Sequence, residues 1–301
     1  MNYRHHFHAG NHADVLKHVA LLDLLARLTA KDKPLAYLET HAGAGVYDLD
    51  GDAERTGEWR EGVGRLLASA TTPPPAVRRY LDAVLEWNVG SGGLCRYPGS
   101  PVLAAGVLRA QDRLLLCEMQ PRVAAELRQG LAARDPRVKV FVADGYHQAL
   151  CALLPPPQRR ALVLVDPPYE AQAAEFDRIL AALREGLRRL ATGTYAIWYP
   201  IKRAATNTPF LRALADLPVK SALTLELWVR APDSPLRLNG SGVAVLNPPW
   251  QFDQAAATSW LPWLAAALAA GRGAGWRCHW LRHEDAAQSP AHAPPKRDRT
   301  R

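Results

Sequence analysis

Apolar and polar positions alternate along this chain with two different periods. From Asn11 to about Ala30, Val15, Leu16, Val19, Leu22, Leu25 and Leu28 recur at helical spacing, with Asn11 placed to cap and Asp14 in the first turn. Beyond this helix, short apolar runs take over. Residues 35–40 (LAYLET), 113–118 (RLLLCE), 138–144 (VKVFVAD), 161–166 (ALVLVD) and 193–200 (GTYAIWYP) read as strands, and 222–229 with 242–249 read as a closing pair. Amphipathic stretches at 121–134 and 171–190 separate some of them. Near-continuous apolar strands between amphipathic helices predict a sheet covered on both faces, an α/β doubly wound fold.

The rhythm breaks between about Leu49 and Arg96. The pieces GEWREGVGRLLAS and PAVRRYLDAVLEWNV are helical in pattern and separated by TTPPP. They predict a small helical insert. From Gln288 the chain is Pro-rich, basic and poor in apolar residues, so a disordered tail over 288–301 is expected after one domain at 1–287.

Composition narrows the class. No apolar run reaches the roughly 18 residues of a membrane span. The N-terminus, MNYRHHFHAG, lacks a signal peptide's apolar stretch. Cys95, Cys117, Cys151 and Cys278 stand without C-x-x-C pairing, which suits reduced thiols in a cytoplasmic chain. The formal charge is +8. Lys296, Arg297, Arg299 and Arg301 against Asp298 put +3 of it in the tail, leaving +5 on the body. A basic surface suits a polyanionic partner, without identifying one.

Four strand ends carry candidate chemistry. In LETHAGAG, a strand runs into Gly43-Ala44-Gly45, where glycines permit a tight turn and close approach of a nucleoside-like ligand. An ordinary strand-to-helix turn is the competing reading. Glu118 ends the next strand, where such folds place a ribose-binding acid about 20 residues on, a spacing restored by removing the insert. Asp144-Gly145 closes the third strand. Asp144 could bind an adenine amino group or simply cap the following helix. Asp166-Pro167-Pro168-Tyr169 closes the fourth. Prolines give a stiff exit with bare carbonyls, so a carboxylate, a carbonyl and an aromatic face suit an exocyclic amine on a planar base. A near-copy, VAVLNPPWQ at 243–251, has Asn247 for the acid. It sits on the last strand, expected near a sheet edge, with Trp250 packed over the strand end.

With these residues in view, the chain resembles the S-adenosylmethionine-dependent amino methyltransferases, and in particular the RlmJ family. YRHHFHAGNHADVLKH, THAGAG, RTGE, YPGSP, ADG, DPPYE, GTYAIWYP and SGVAVLNPPW fall in that family's order. The resemblance implies a Rossmann-like class I methyltransferase fold with a mostly parallel seven-stranded sheet, helices on both faces and a small helical insert. It implies methylation of adenine N6 in 23S ribosomal RNA, on protein-free or partly assembled RNA, by a monomer that needs no metal. Carried over by motif, His18, His41, Gly43, Ser100, Glu118, Asp144 and Gly145 would hold S-adenosylmethionine. Asp166 would accept the proton, Pro167 and Tyr169 would hold the base, and Tyr3 and Arg4 would contact RNA. His5, His6, His8 and His12 lack the accompanying ligands of a metal site and read better as an RNA-facing arm.

Three rivals share some of these features. A DNA adenine methyltransferase would be expected to bring a duplex-recognition domain larger than the insert. A glutamine methyltransferase would use N-P-P-Y, which makes Asn247 the competitor of Asp166. A catalytically inert RNA-binding factor would keep the fold without binding the cofactor.

Overall fold

A computed structural model describes residues 7–232, 234 and 238–283. Tyr3, Arg4, His5, His6 and the tail from Gln288 lie outside those residues.

In chain order the elements are α1 (His12–Thr29), β1 (Ala36–Glu39), β2 (Val46–Asp48), α2 (Pro75–Glu86), β3 (Arg96–Pro98), α3 (Ser100–Val107), β4 (Arg113–Glu118), α4 (Pro121–Leu127), β5 (Val138–Val142), β6 (Ala161–Val165), α5 (Gln172–Arg189), β7 (Thr194–Ile201), α6 (Ala204–Ala215), β8 (Ala222–Trp228), β9 (Gly240–Leu246), α7 (Leu261–Leu268) and β10 (Gly275–Arg282). Asn11 Oδ1 accepts from the backbone N–H groups of Ala13 and Asp14 at 2.9 and 3.0 Å, satisfying two of the donors that a helix start leaves open. Every residue from Ala13 to Leu25 is buried. The helix is enclosed because β7 and β9 lie on one side of it and α2 and α3 on another.

The main sheet has the order β10-β8-β9-β7-β6-β1-β4-β5. β7, β6, β1, β4 and β5 run parallel, while β9 enters antiparallel between β7 and β8. This is the expected α/β Rossmann-like class, with two corrections. The sheet has eight strands instead of seven: β10 pairs antiparallel with β8 at the edge. Its sequence, GWRCHWLR, sets Trp276, Cys278 and Trp280 against Arg277 and His279. Such alternation suits a half-exposed edge strand and lacks the apolar run that marks the buried ones. Second, β9 does not lie near an edge, since β8 and β10 both stand outside it.

Side chains of the parallel strands divide between two cores. Leu162 and Leu164 of β6 face the core shared with α1, and Val163 and Val165 face the core shared with α5. Each such fully buried side chain contributes roughly 1.5–3 kcal/mol. The region between β2 and β3 is helical: short turns at Asp52–Thr56, Arg60–Gly64 and Arg65–Leu67 precede α2. β2 and β3 pair antiparallel and close its base, with Tyr47 opposite Tyr97.

Candidate active site

The carboxyl ends of β1, β4 and β6 open into one cavity of about 750 Å³, walled on the far side by the start of α1. Its lining includes Asp166, Pro167, Tyr169, His18, His41, Gly43, Ser100 and Glu118. Strands that are parallel and in register bring their ends to one edge, so residues far apart in sequence meet there.

Asp166 leaves β6 at the cavity wall. Its Oδ2 accepts from Lys17 Nζ at 2.6 Å, and the same ammonium lies 2.9 Å from Asp14 Oδ1. Burial alone would discharge Lys17, but the two carboxylates outweigh it and raise its pKa well above the ordinary lysine value. Lys17 was not singled out from the sequence. The available signal was a lysine inside the apolar stretch of α1, flanked by Leu16 and Val19.

Tyr169 lines the cavity with a ring that is otherwise packed. It lies edge-on to Phe176 at 5.7 Å and tilted against Trp198 at 5.4 Å, and its hydroxyl donates to the Trp198 carbonyl. Trp198 itself reaches the cavity from β7, a second aromatic that the motif reading did not single out.

The turn after β1 is held by Glu118. Its Oε2 accepts from Gly43 N at 3.0 Å and its Oε1 from Gln120 N at 2.8 Å. Gly43 has φ +66°, and a side chain there would meet the Tyr47 hydroxyl, so this glycine serves the turn itself. His41 accepts or donates through Nδ1 to Thr40 Oγ1 at 2.8 Å, and burial pushes its pKa down to about 4. His18 Nδ1 is 2.7 Å from the Tyr97 hydroxyl, its ring stacked on Tyr97. Ser100 donates to Glu39 Oε1, and Tyr37 donates to Glu39 Oε2 at 2.8 Å. Burial pushes Glu39 up to about 8, although both hydrogen bonds oppose the rise.

Asp144 and Gly145 are not among the lining residues. Asp144 Oδ1 accepts from Tyr146 N at 2.9 Å, the capping geometry, and its Oδ2 pairs with Arg178 at 3.2 Å. Gly145 packs directly on the turn after β1: a Cβ would stand 2.0 Å from the Thr40 carbonyl oxygen. The pair therefore shapes the site from behind, through Tyr146, whose ring meets His41 edge-on at 5.0 Å.

The near-copy stands at the opposite end of the sheet. β9 runs against β7, with Leu246 opposite Tyr195, whereas Val165 lies opposite Ile197. Asn247 has φ 51° and donates through Nδ2 to the carbonyls of Ala191 and Gly193, both at 2.9 Å. It is a loop staple that an aspartate could not replace. None of Asn247 to Trp250 lines the cavity. Trp250 is 85% exposed, so the expected packing over the strand end does not occur. The loop turns through Asn247 and Gln251, both at positive φ, and this carries Trp250 outward.

Comparison with known proteins follows the same lines. A family model described as "Ribosomal RNA large subunit methyltransferase D, RlmJ" matches residues 32–282. A Haemophilus influenzae protein named "Ribosomal RNA large subunit methyltransferase J" is 41% identical over 286 residues, covering 94% of this chain and 100% of that one. The Escherichia coli protein of the same name is 43% identical over 270 residues, covering 89% and 94%. A crystal structure of protein LPL1258 from Legionella pneumophila superposes with a TM-score of 0.81 at 36% identity, over 90% of this chain and 98% of that one.

Proposed function

The chain belongs to the RlmJ family of large-subunit ribosomal RNA methyltransferases, and from that premise we propose that it transfers a methyl group from S-adenosylmethionine to N6 of an adenine in 23S ribosomal RNA, acting on protein-free or partly assembled RNA. The observation that carries the reading is the exit from β6, where Asp166 and Pro167 border a cavity bounded by the Gly43 turn and Glu118.

The cavity suits the cofactor. Its volume of about 750 Å³ falls within the range of small-molecule sites. Its wall combines a glycine turn, a strand-end acid and two histidines, the groups that a nucleoside with an amino-acid arm requires. His18, His41, Gly43, Ser100 and Glu118 would hold it, with Asp144 and Gly145 setting the turn behind His41. When bound, S-adenosylmethionine supplies an electrophilic methyl group.

The chain's own residues act on the amine. The lone pair of adenine N6 is delocalised into the ring, which makes it a poor nucleophile. Lys17 engages Asp166 Oδ2, and Oδ1 takes no hydrogen bond from the described residues. Hydrogen bonds from N6–H to that oxygen and to the Pro167 carbonyl would localise the lone pair. Proline cannot donate, so Pro167 and Pro168 present acceptors only. Tyr169, locked by Phe176 and Trp198, offers a rigid plane for the base, and holding the amine in one direction contributes through positioning. Asp166 then takes the proton that the methylated amine sheds. The adenine must leave its stack to enter, which is easiest in a loop or unfolded segment. Tyr3 and Arg4 would contact that RNA.

The test is methylation of an unmodified 23S transcript with radiolabelled cofactor, followed by nucleoside digestion. N6-methyladenosine should carry the label in the wild-type reaction and vanish with Asp166→Ala. Label on another nucleoside, or full turnover by Asp166→Ala, would refute the reading.

A further inference from the structure

The function above leaves the helical insert without a task, and its contacts point to one. Glu58 lies in the insert immediately before the turn at Arg60–Gly64. Both of its carboxylate oxygens stand 3.0 Å from His8 Nδ1, and Asn11 Nδ2 donates to Oε2 at 2.9 Å. Further contacts flank this clasp. Val63 N donates to the Gly10 carbonyl at 2.9 Å, and Thr56 Oγ1 donates to the Phe7 carbonyl. Gly62 presses so closely that a Cβ would stand 2.0 Å from Gly10 O. The insert thus grips Phe7, His8, Gly10 and Asn11, through side chain and backbone alike.

The gripped segment leads to the reacting groups. His8 and Asn11 line the cavity. Asn11 caps α1 with Oδ1 while Glu58 holds its Nδ2. Gly10 N donates to Asp14 Oδ2 at 2.9 Å, Asp14 holds Lys17, and Lys17 holds Asp166. A continuous series of bonded groups therefore runs from Glu58 to Asp166.

We propose that Glu58 is a positioning residue, through which the helical insert holds His8 and Asn11 on the cavity rim and so aligns the RNA strand with Asp166. This rests on the function proposed above. The insert acts as a brace for residues 7–11, and it affects RNA engagement far more than cofactor binding.

Glu58→Ala and His8→Ala test it by removing either side of the clasp. His8 is 41% exposed, so its loss leaves the core intact. Each variant is expected to raise KM for a 23S transcript about tenfold, the effect of losing a charge-assisted bond. The calorimetric Kd for S-adenosylmethionine should stay within about twofold, and the double variant should add little to the larger single effect. Glu58→Gln, which keeps one acceptor for Asn11, should recover part of the loss. An unmoved RNA KM in both single variants overturns the proposal, as does a cofactor affinity that falls in step with KM. A wild-type chain that leaves the transcript unmethylated overturns the functional reading and this proposal with it, whereas wild-type turnover with unmoved variants overturns the proposal alone.

Discussion

Replacing Lys17 with methionine isolates the interaction that most strongly couples fold and chemistry. The side chain is 5% exposed and its ammonium stands between Asp14 and Asp166, at 2.9 and 2.6 Å. Methionine keeps the stem and its packing but removes the charge. Two carboxylates then share one buried pocket without a cation. Breaking a buried ion pair on one side costs about 3–5 kcal/mol, because the remaining charge is left uncompensated. Asp166 is itself 15% exposed, which places the expected loss toward the lower end. The pH dependence follows from the sign of the shifts. In the wild type the Lys17 pKa is raised, so its contribution is complete below the ordinary lysine value and is lost only as pH rises above it. In Lys17→Met the two buried carboxylates face each other without their cation. The variant should therefore be clearly less stable than the wild type at pH 8. Urea unfolding at several pH values measures this, with methyl transfer followed in parallel. Equal stability of variant and wild type at pH 8, or full turnover by the variant, would refute the argument.

Other expectations are more local. Gly145→Ala forces a Cβ against the Thr40 carbonyl and should lower stability by about 1–3 kcal/mol, read as a fall in Tm. Asn247→Asp replaces two donated bonds with a carboxylate facing carbonyls; it should cost about 1–3 kcal/mol in urea unfolding, and it should not restore turnover to Asp166→Ala. Trp250→Ala should change stability by no more than about 0.5 kcal/mol, since the ring is exposed; a larger drop would mean that it packs. Burial pushes Glu39 up to about 8, so the folded state retains its proton and the stability this provides is lost as pH rises from the ordinary carboxylate range through 8. Glu39→Gln should consequently gain on the wild type as pH rises from 5 to 9, which thermal melts across that range would show.

Local patterns carried much of the architecture. The apolar stripe of α1 with Asn11 at its head, the buried strands and the stiff D-P-P-Y exit are each written within a few neighbouring residues. Backbone sterics and side-chain periodicity act over that distance, so the sequence alone determined the α/β class. The position of Asp166 after the fourth long apolar strand already separated it from Asn247. What remained depended on groups brought together from far apart. Lys17 meets Asp166 across 149 positions and Glu58 meets His8 across 50. Asp144 caps the segment after β5 and pairs with Arg178, and that pairing spans 34 positions. The half-polar strand β10 becomes a strand because β8 offers it an edge, and Trp250 is outside because two residues at positive φ turn its loop away. A buried charge takes its meaning from what stands opposite, and only the tertiary structure supplies that partner.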